Sequence, residues 1–271
     1  MANAQQIVVD IDAVARIARL SVDRANIFLG IALSGFGQRH NLDHRTVERF
    51  KFETLNRDLS EGEKEHVFGE WRNWTINCAI RDLIDAFSIY ETRIYELDQL
   101  ISAGGVGIRS KISANSKKFD RHSVSEKWTR LSKSFELPVK YAQHFNSFRA
   151  LRNCLAHRLG VVGLEDCEGD PPRLRLSWVA PEMVAIAPGL DDVVVSAAGF
   201  QEPIEFDTPR QIGVRFANRM REFEPSRSVV LSAADVFEIC STFWSGIDLL
   251  RNAVVTNARE KGLFVDRSTR N

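Results

Sequence analysis

Arg152, Asn153 and His157 fall within one short stretch, Arg152-Asn153-Cys154-Leu155-Ala156-His157, in a surround that runs from Phe148 to Gly160. On a helix these residues lie within about one and a half turns of one another. Arginine offers a fixed cation that grips phosphate oxygens, and histidine an imidazole that moves a proton near neutral pH. Together they are the smallest set of groups able to cleave RNA without a metal.

The helix that must carry them has two faces. Tyr141, Phe145, Phe148, Leu151, Leu155 and Leu159 form one apolar stripe, the expected core contact. His157 shares the far side with Asn146, Ala150 and Asn153, a small polar face. With Ala150 and Cys154 on it, that face can admit a partner helix, including the same helix of a second copy. Arg152 leans to within about 40° of the apolar stripe, so it must snorkel out or be paired. Asp82, Asp85 and Glu91, on the preceding helical pattern, are the available carboxylates.

Around this motif the chain reads as helices. Asp10 or Asp12 caps a helix to about Ser34, whose second stripe (Ile17, Leu20, Ile27, Ile31) implies cover on two sides. Residues 42–58 read as a short charged helix. Ile76, Ile80, Leu83, Phe87, Ile94 and Ile101 keep one face over about 65–102. The glycine cluster at 104–107 ends that helix and fits no phosphate-loop register. Residues 104–137 read as polar and irregular, with a short helix near 125–134, and Pro138 opens the motif helix. Three β-type runs then follow, an expected antiparallel hairpin or flap over 165–206. Helices resume at about 208–222 and 232–261, the last with Ser232 and Asp235 placed as a capping box. The expectation is one all-α domain over 1–271 with a small β insert.

Composition bounds the function classes. A chain of 271 residues suits one large domain. A net charge of +0 argues against a dedicated nucleic-acid coat, though not against a local basic patch. Cys78, Cys154, Cys167 and Cys240 form no CxxC pair, so neither zinc nor a redox motif is indicated. The opening residues lack a basic region followed by a long apolar run, and no run of about 18 apolar residues occurs. No signal peptide and no membrane contact are therefore expected, and the expected location is cytoplasmic.

The Arg-Asn-x-x-x-His stretch, late in an all-helical chain, resembles the signature of the HEPN superfamily. The local likeness includes the apolar approach (Phe148, Leu151) and Gly160 soon after the histidine. It also takes in the long preceding helix with Asp82, Asp85 and Glu91. It covers roughly residues 10–160 and the final helix in architecture, leaving 165–225 unexplained. The resemblance implies an antiparallel helical bundle and a metal-independent endoribonuclease built from two copies whose motifs meet at a cleft. His157 would act as general acid or base on a ribose 2′-OH, Arg152 would stabilise the transition-state charge, and Asn153 would orient histidine or phosphate. No cofactor is implied. Many members are toxins or antiviral-defence effectors, with an antitoxin or defence-system partner; others have lost catalysis and only bind RNA, nucleotide or a partner protein.

Other features are less pointed. Between Arg109 and Lys133 basic residues outnumber acids, with Lys117, Lys118, Arg121, Lys127 and Arg130 as candidate RNA contacts and Phe119 and Trp128 for base stacking. The competing reading is a solvated connector. His40 and His44 read as a surface turn rather than a metal pair. Arg72-Asn73 and Arg251-Asn252 repeat the motif's start without its histidine and read as structural. His122 and His144 have no evident partner.

Overall fold

A computed structural model describes residues 9–34, 44–47, 50–53, 59–104, 109–138, 140–195 and 206–263. The helices are α1 (Ile11–Ser34), α2 (Glu61–Ser102), α3 (Arg109–Asp120), α4 (Val124–Phe135), α5 (Lys140–Arg158) and α6 (Ala233–Glu260). The strands are β1 (His44–Val47), β2 (Phe50–Glu53), β3 (Leu174–Ile186), β4 (Val193–Val195) and β5 (Gln211–Phe223).

Several helices begin where side chains satisfy free N–H groups. Asp10 Oδ1 accepts from Ala13 N (3.0 Å) at the start of α1. Ser60 with Glu63, Ser123 with Glu126 and Ser232 with Asp235 complete reciprocal capping boxes at α2, α4 and α6. α1 packs through Ala15, Ala18, Val22, Ala25 and Leu29, a seam of small residues that brings it close to α2 and α6. Arg24 on Asp82 ties α1 to α2, while Arg19 on Asp248 and Arg251 on Asp12 set α1 antiparallel to α6.

The core is aromatic. Phe87 of α2 stacks on Phe145 of α5 at 4.7 Å and 13°, and Trp128 of α4 lies 4.7 Å from Phe145. Phe243 of α6 closes the group at 5.0 Å from Phe148 and 5.3 Å from Phe87. Gly246 lets α6 come this near. A Cβ there would stand 3.1 Å from both Phe145 Cζ and Phe87 Cζ.

The chain is mostly helical but contains a real sheet, so the all-α expectation is corrected. β3 pairs antiparallel with β5 along the whole length of both, Leu174 opposite Phe223 and Ile186 opposite Gln211. β4 joins the other edge of β3 only at Met183–Ala185. Nor is the sheet confined to a flap at 165–206: Leu174, Leu176, Trp178 and Ala180 lie in the main core. Beyond β4, two helix hydroxyls finish the edge of β3. Ser147 Oγ accepts from Ser177 N (3.1 Å) and donates to Ser177 O (3.2 Å), sharing that proton with His144 O (2.7 Å). Thr242 Oγ1 likewise accepts from Val179 N (2.9 Å) and donates to Val179 O (3.0 Å). Helices α5 and α6 thus stand where a fourth strand would, and no main-chain group of these two residues is left dry.

Other elements also depart from expectation. The helix expected at 208–222 is β5; Ile212, Val214, Phe216 and Met220 alternate with Gly213, Arg215, Ala217, Arg219 and Arg221, a period of two. The helix expected at 42–58 contains the β1–β2 hairpin, in keeping with Thr46, Val47, Phe50 and Phe52. The short helix expected near 125–134 is α4, but the stretch before it, expected to be irregular, holds a further helix, α3. α3 is anchored by Phe119 stacked on Tyr95 (4.1 Å), by Ser116 on Glu96 (2.5 Å) and by Asp120, which accepts from Thr92 (3.0 Å) and Lys127 (3.2 Å). The second stripe of α1 is not covered by described residues: Leu20 is 48% and Ile27 57% exposed.

Two measurements test this core. Gly246→Val should cost about 2–3 kcal/mol in urea denaturation, because the added methyls overlap two packed rings. Glu91 is fully buried on α2 and neither carboxyl oxygen is hydrogen-bonded; burial pushes its pKa well above 4.5, against the pull of Lys127. A raised folded pKa stabilises fully below the unfolded value and is lost as pH climbs. Stability should therefore fall as pH rises from about 4.5 toward the folded pKa, and Glu91→Gln should remove that slope.

Candidate functional site

α5 runs antiparallel to α2, with Arg152 beside Asp85 and Gly160 beside Asn77. The apolar stripe is buried as far as Leu155, and the helix continues through His157 to Arg158. The helix does not loosen before the histidine, so His157 keeps its helical bearing. Leu159 then takes φ 53 and Gly160 φ 87. This left-handed step swings Leu159 off the helical lattice and leaves it 90% exposed, which removes it from the expected core stripe. Backbone bonds from Val162 N to Arg227 O and from Val229 N to Gly160 O (2.9 and 2.8 Å) stitch the end of α5 to the segment entering α6.

The three proposed carboxylates have three different employments. Asp85 Oδ1 accepts from Arg152 Nε at 3.4 Å, at a seam where the two side chains are about half exposed. Asp82 instead takes Arg24 at 2.8 Å. Glu91 is buried and its charged neighbour is Lys127, so it is withdrawn as a site residue. Because Asp85 engages Nε, both terminal nitrogens of Arg152 remain able to donate to an anion.

Asn153 is half-buried and His157 exposed on the open side of α5, and no hydrogen bond joins either to another described residue. Cys154 does not share that open face: it is fully buried, with its thiol pushed up to about 11, first by burial and then by Asp166. Arg158 is held by Asp166 and Glu165. Arg152 and His157 therefore flank α5, with the imidazole and both free guanidinium nitrogens open to a ligand.

The basic run divides. Lys117, Lys118, Arg121 and Arg130 are exposed. Lys127 is buried, its Nζ donating to Ser88 O, Ser88 Oγ, Thr92 Oγ1 and Asp120 Oδ1 at 2.7–3.2 Å, so it is a structural cation and not an RNA contact. Phe119 and Trp128 are buried in the core and cannot stack on bases. Lys127 falls at the spacing of Val124, Trp128 and Leu131, the apolar face of α4, and that pattern is the signal the sequence offers for its burial.

Two further features lie beyond the reach of spacing. His144 has a partner: its Nδ1 lies 3.0 Å from Ser177 Oγ, and burial lowers its pKa, so it joins α5 to β3 as a neutral ring. Arg72 and Asn73 line an open pocket of about 320 Å³ with Arg221, Ser232 and Asp235. Side chains of His40 and His44 lie outside the described residues. Among the described residues no cluster of His, Cys, Asp and Glu converges as a metal site, and no helix is long and apolar enough to cross a membrane.

An ion pair this exposed positions more than it stabilises. Asp85→Asn should change the unfolding free energy by less than about 1 kcal/mol in urea titration, while any function that depends on Arg152 falls.

Compared with known proteins, this chain has no match: no family model, no curated protein and no solved structure matches it.

Proposed function

We propose that this protein is a HEPN-type, metal-independent endoribonuclease of the cytoplasm, acting as a homodimer in a toxin or antiviral-defence role. The observation that carries the reading is the state of the motif on α5. Arg152 is oriented by Asp85 through Nε alone, and Asn153 and His157 stand unpaired on an open helical face.

The chemistry follows from those groups. His157 of one copy takes the proton of a ribose 2′-OH, whose oxygen attacks the adjacent phosphorus. Arg152 offers its terminal N–H groups to the phosphate oxygens as negative charge builds. Asn153, on the same side as His157, orients the imidazole or the phosphate. The leaving 5′ oxygen needs a proton, and His157 of the second copy supplies it. The products are a 2′,3′-cyclic phosphate and a 5′-OH. Exposed Leu159, in strained backbone just past His157, supports an interface at this end of α5.

The test is cleavage of mixed RNA substrates with EDTA present. Wild type should yield 2′,3′-cyclic phosphate ends, while His157→Ala and Arg152→Ala should each lose at least about a hundredfold in rate. Cleavage that survives both substitutions, or stops on chelation, overturns the mechanism. RNA binding without cleavage by wild type would assign the binding-only form of the family.

RNA tracking is assigned to Lys117, Lys118, Arg121 and Arg130. Neutralising Lys117, Lys118 and Arg121 together should flatten the salt dependence of RNA binding by about 0.7 in log–log slope for each phosphate no longer neutralised. An unchanged slope removes the patch from the reading.

A further inference from the structure

β5 is the outer strand of its sheet, thirteen residues long, and its pairing with β3 runs without a bulge. Ser177 and Val179 turn their main-chain groups to the hydroxyls of Ser147 and Thr242, away from β5. N–H and C=O directions alternate along a strand. The residues of β5 opposite Ser177 and Val179, Met220 and Asn218, therefore point their main-chain groups outward, as do Phe216, Val214 and Ile212. The apolar side chains of this set are also uncovered: Ile212 61%, Val214 63%, Phe216 59% and Met220 62% exposed. On the other face Arg215 and Arg219 are tied to Glu182, and Arg221 to Asp235. The edge has no proline, no bulge, no lysine and no covering element among the described residues; of the usual obstacles to pairing it carries only charge, in Arg215, Arg219 and Arg221, each held by a carboxylate.

We propose that this edge is an interface for a second copy of the chain, its β5 pairing antiparallel with β5 so that Phe216 faces Phe216 across a two-fold axis. Charge and paired length together select the register: centring on Gly213 or Val214 also keeps the arginines apart, but pairs only Gln211–Arg215 or Gln211–Ala217 of the strand. Centring on Arg215 sets that residue against itself, centring on Ala217 sets Arg215 against Arg219, and centring on Asn218 sets Arg215 against Arg221. Centring on Phe216 puts Arg215 opposite Ala217, Arg219 opposite Gly213 and Arg221 opposite Gln211. The same register sets Ile212 against Met220, so the apolar row meets itself and two three-stranded sheets become one. The proposed interface uses β5 alone, none of whose residues belongs to the α5 motif, and it does not rest on the ribonuclease reading.

Sedimentation over a concentration series tests the interface, and disulfide trapping tests the register. Phe216→Glu, with unchanged circular dichroism, should halve the mass of the wild-type assembly, whereas His157→Ala should not alter mass through this edge. Under mild oxidation Phe216→Cys should crosslink pairs of chains, while wild type, Val214→Cys and Met220→Cys, which face Asn218 and Ile212, should not. A wild-type mass unaffected by Phe216→Glu overturns the interface. Crosslinking through Val214→Cys in place of Phe216→Cys overturns the register.

Discussion

The stack of Phe87 on Phe145 is the contact about which the helices are arranged. It joins α5, the helix that carries the motif, to α2 beside it, and Trp128 and Phe243 close on it from α4 and α6. The arrangement has one strict requirement, a missing side chain at Gly246. With the stack in place, the spacing of α2 from α5 is set, and with it the distance Arg152 must reach to find Asp85. Dense interiors transmit such constraints because they have little free volume to absorb them.

Much of this is legible in the chain. α1, α2, α5 and α6 carry apolar residues three and four apart over many turns, and their caps are local chemistry. α3 is not legible because its apolar attachment is nearly a single ring, Phe119, and its other anchors are polar bonds from Ser116 and Asp120 to residues distant in sequence or on α4. β5 reads as a helix because its arginines and Ala217 suit a charged helix as well as a strand. What decides between them is β3, a partner of equal length supplied by distant sequence. Tertiary pairing overrides propensity in such segments.

The candidate motif is picked out by the sequence, but its wiring is not. Asp82 and Asp85 lie three apart, yet α1 approaches one flank of α2 and α5 the other, so only Asp85 meets Arg152. Glu91 turns inward, with Lys127 of α4 as its charged neighbour. No spacing rule separates these fates, because they depend on which helix lies beside which flank. Lys127 makes the same point: counted in a basic run it looks like an RNA contact, but its place on the apolar face of α4 commits it to Ser88, Thr92 and Asp120.

The two hydroxyls along β3 have a bearing on growth. A sheet with two bare edges has two valences and can add strands without end, which is the route to fibres. Here Ser147 and Thr242 occupy half of one edge, and the three-residue β4 blunts the rest. The sheet is left with a single valence, so whatever it joins at β5, the addition terminates there.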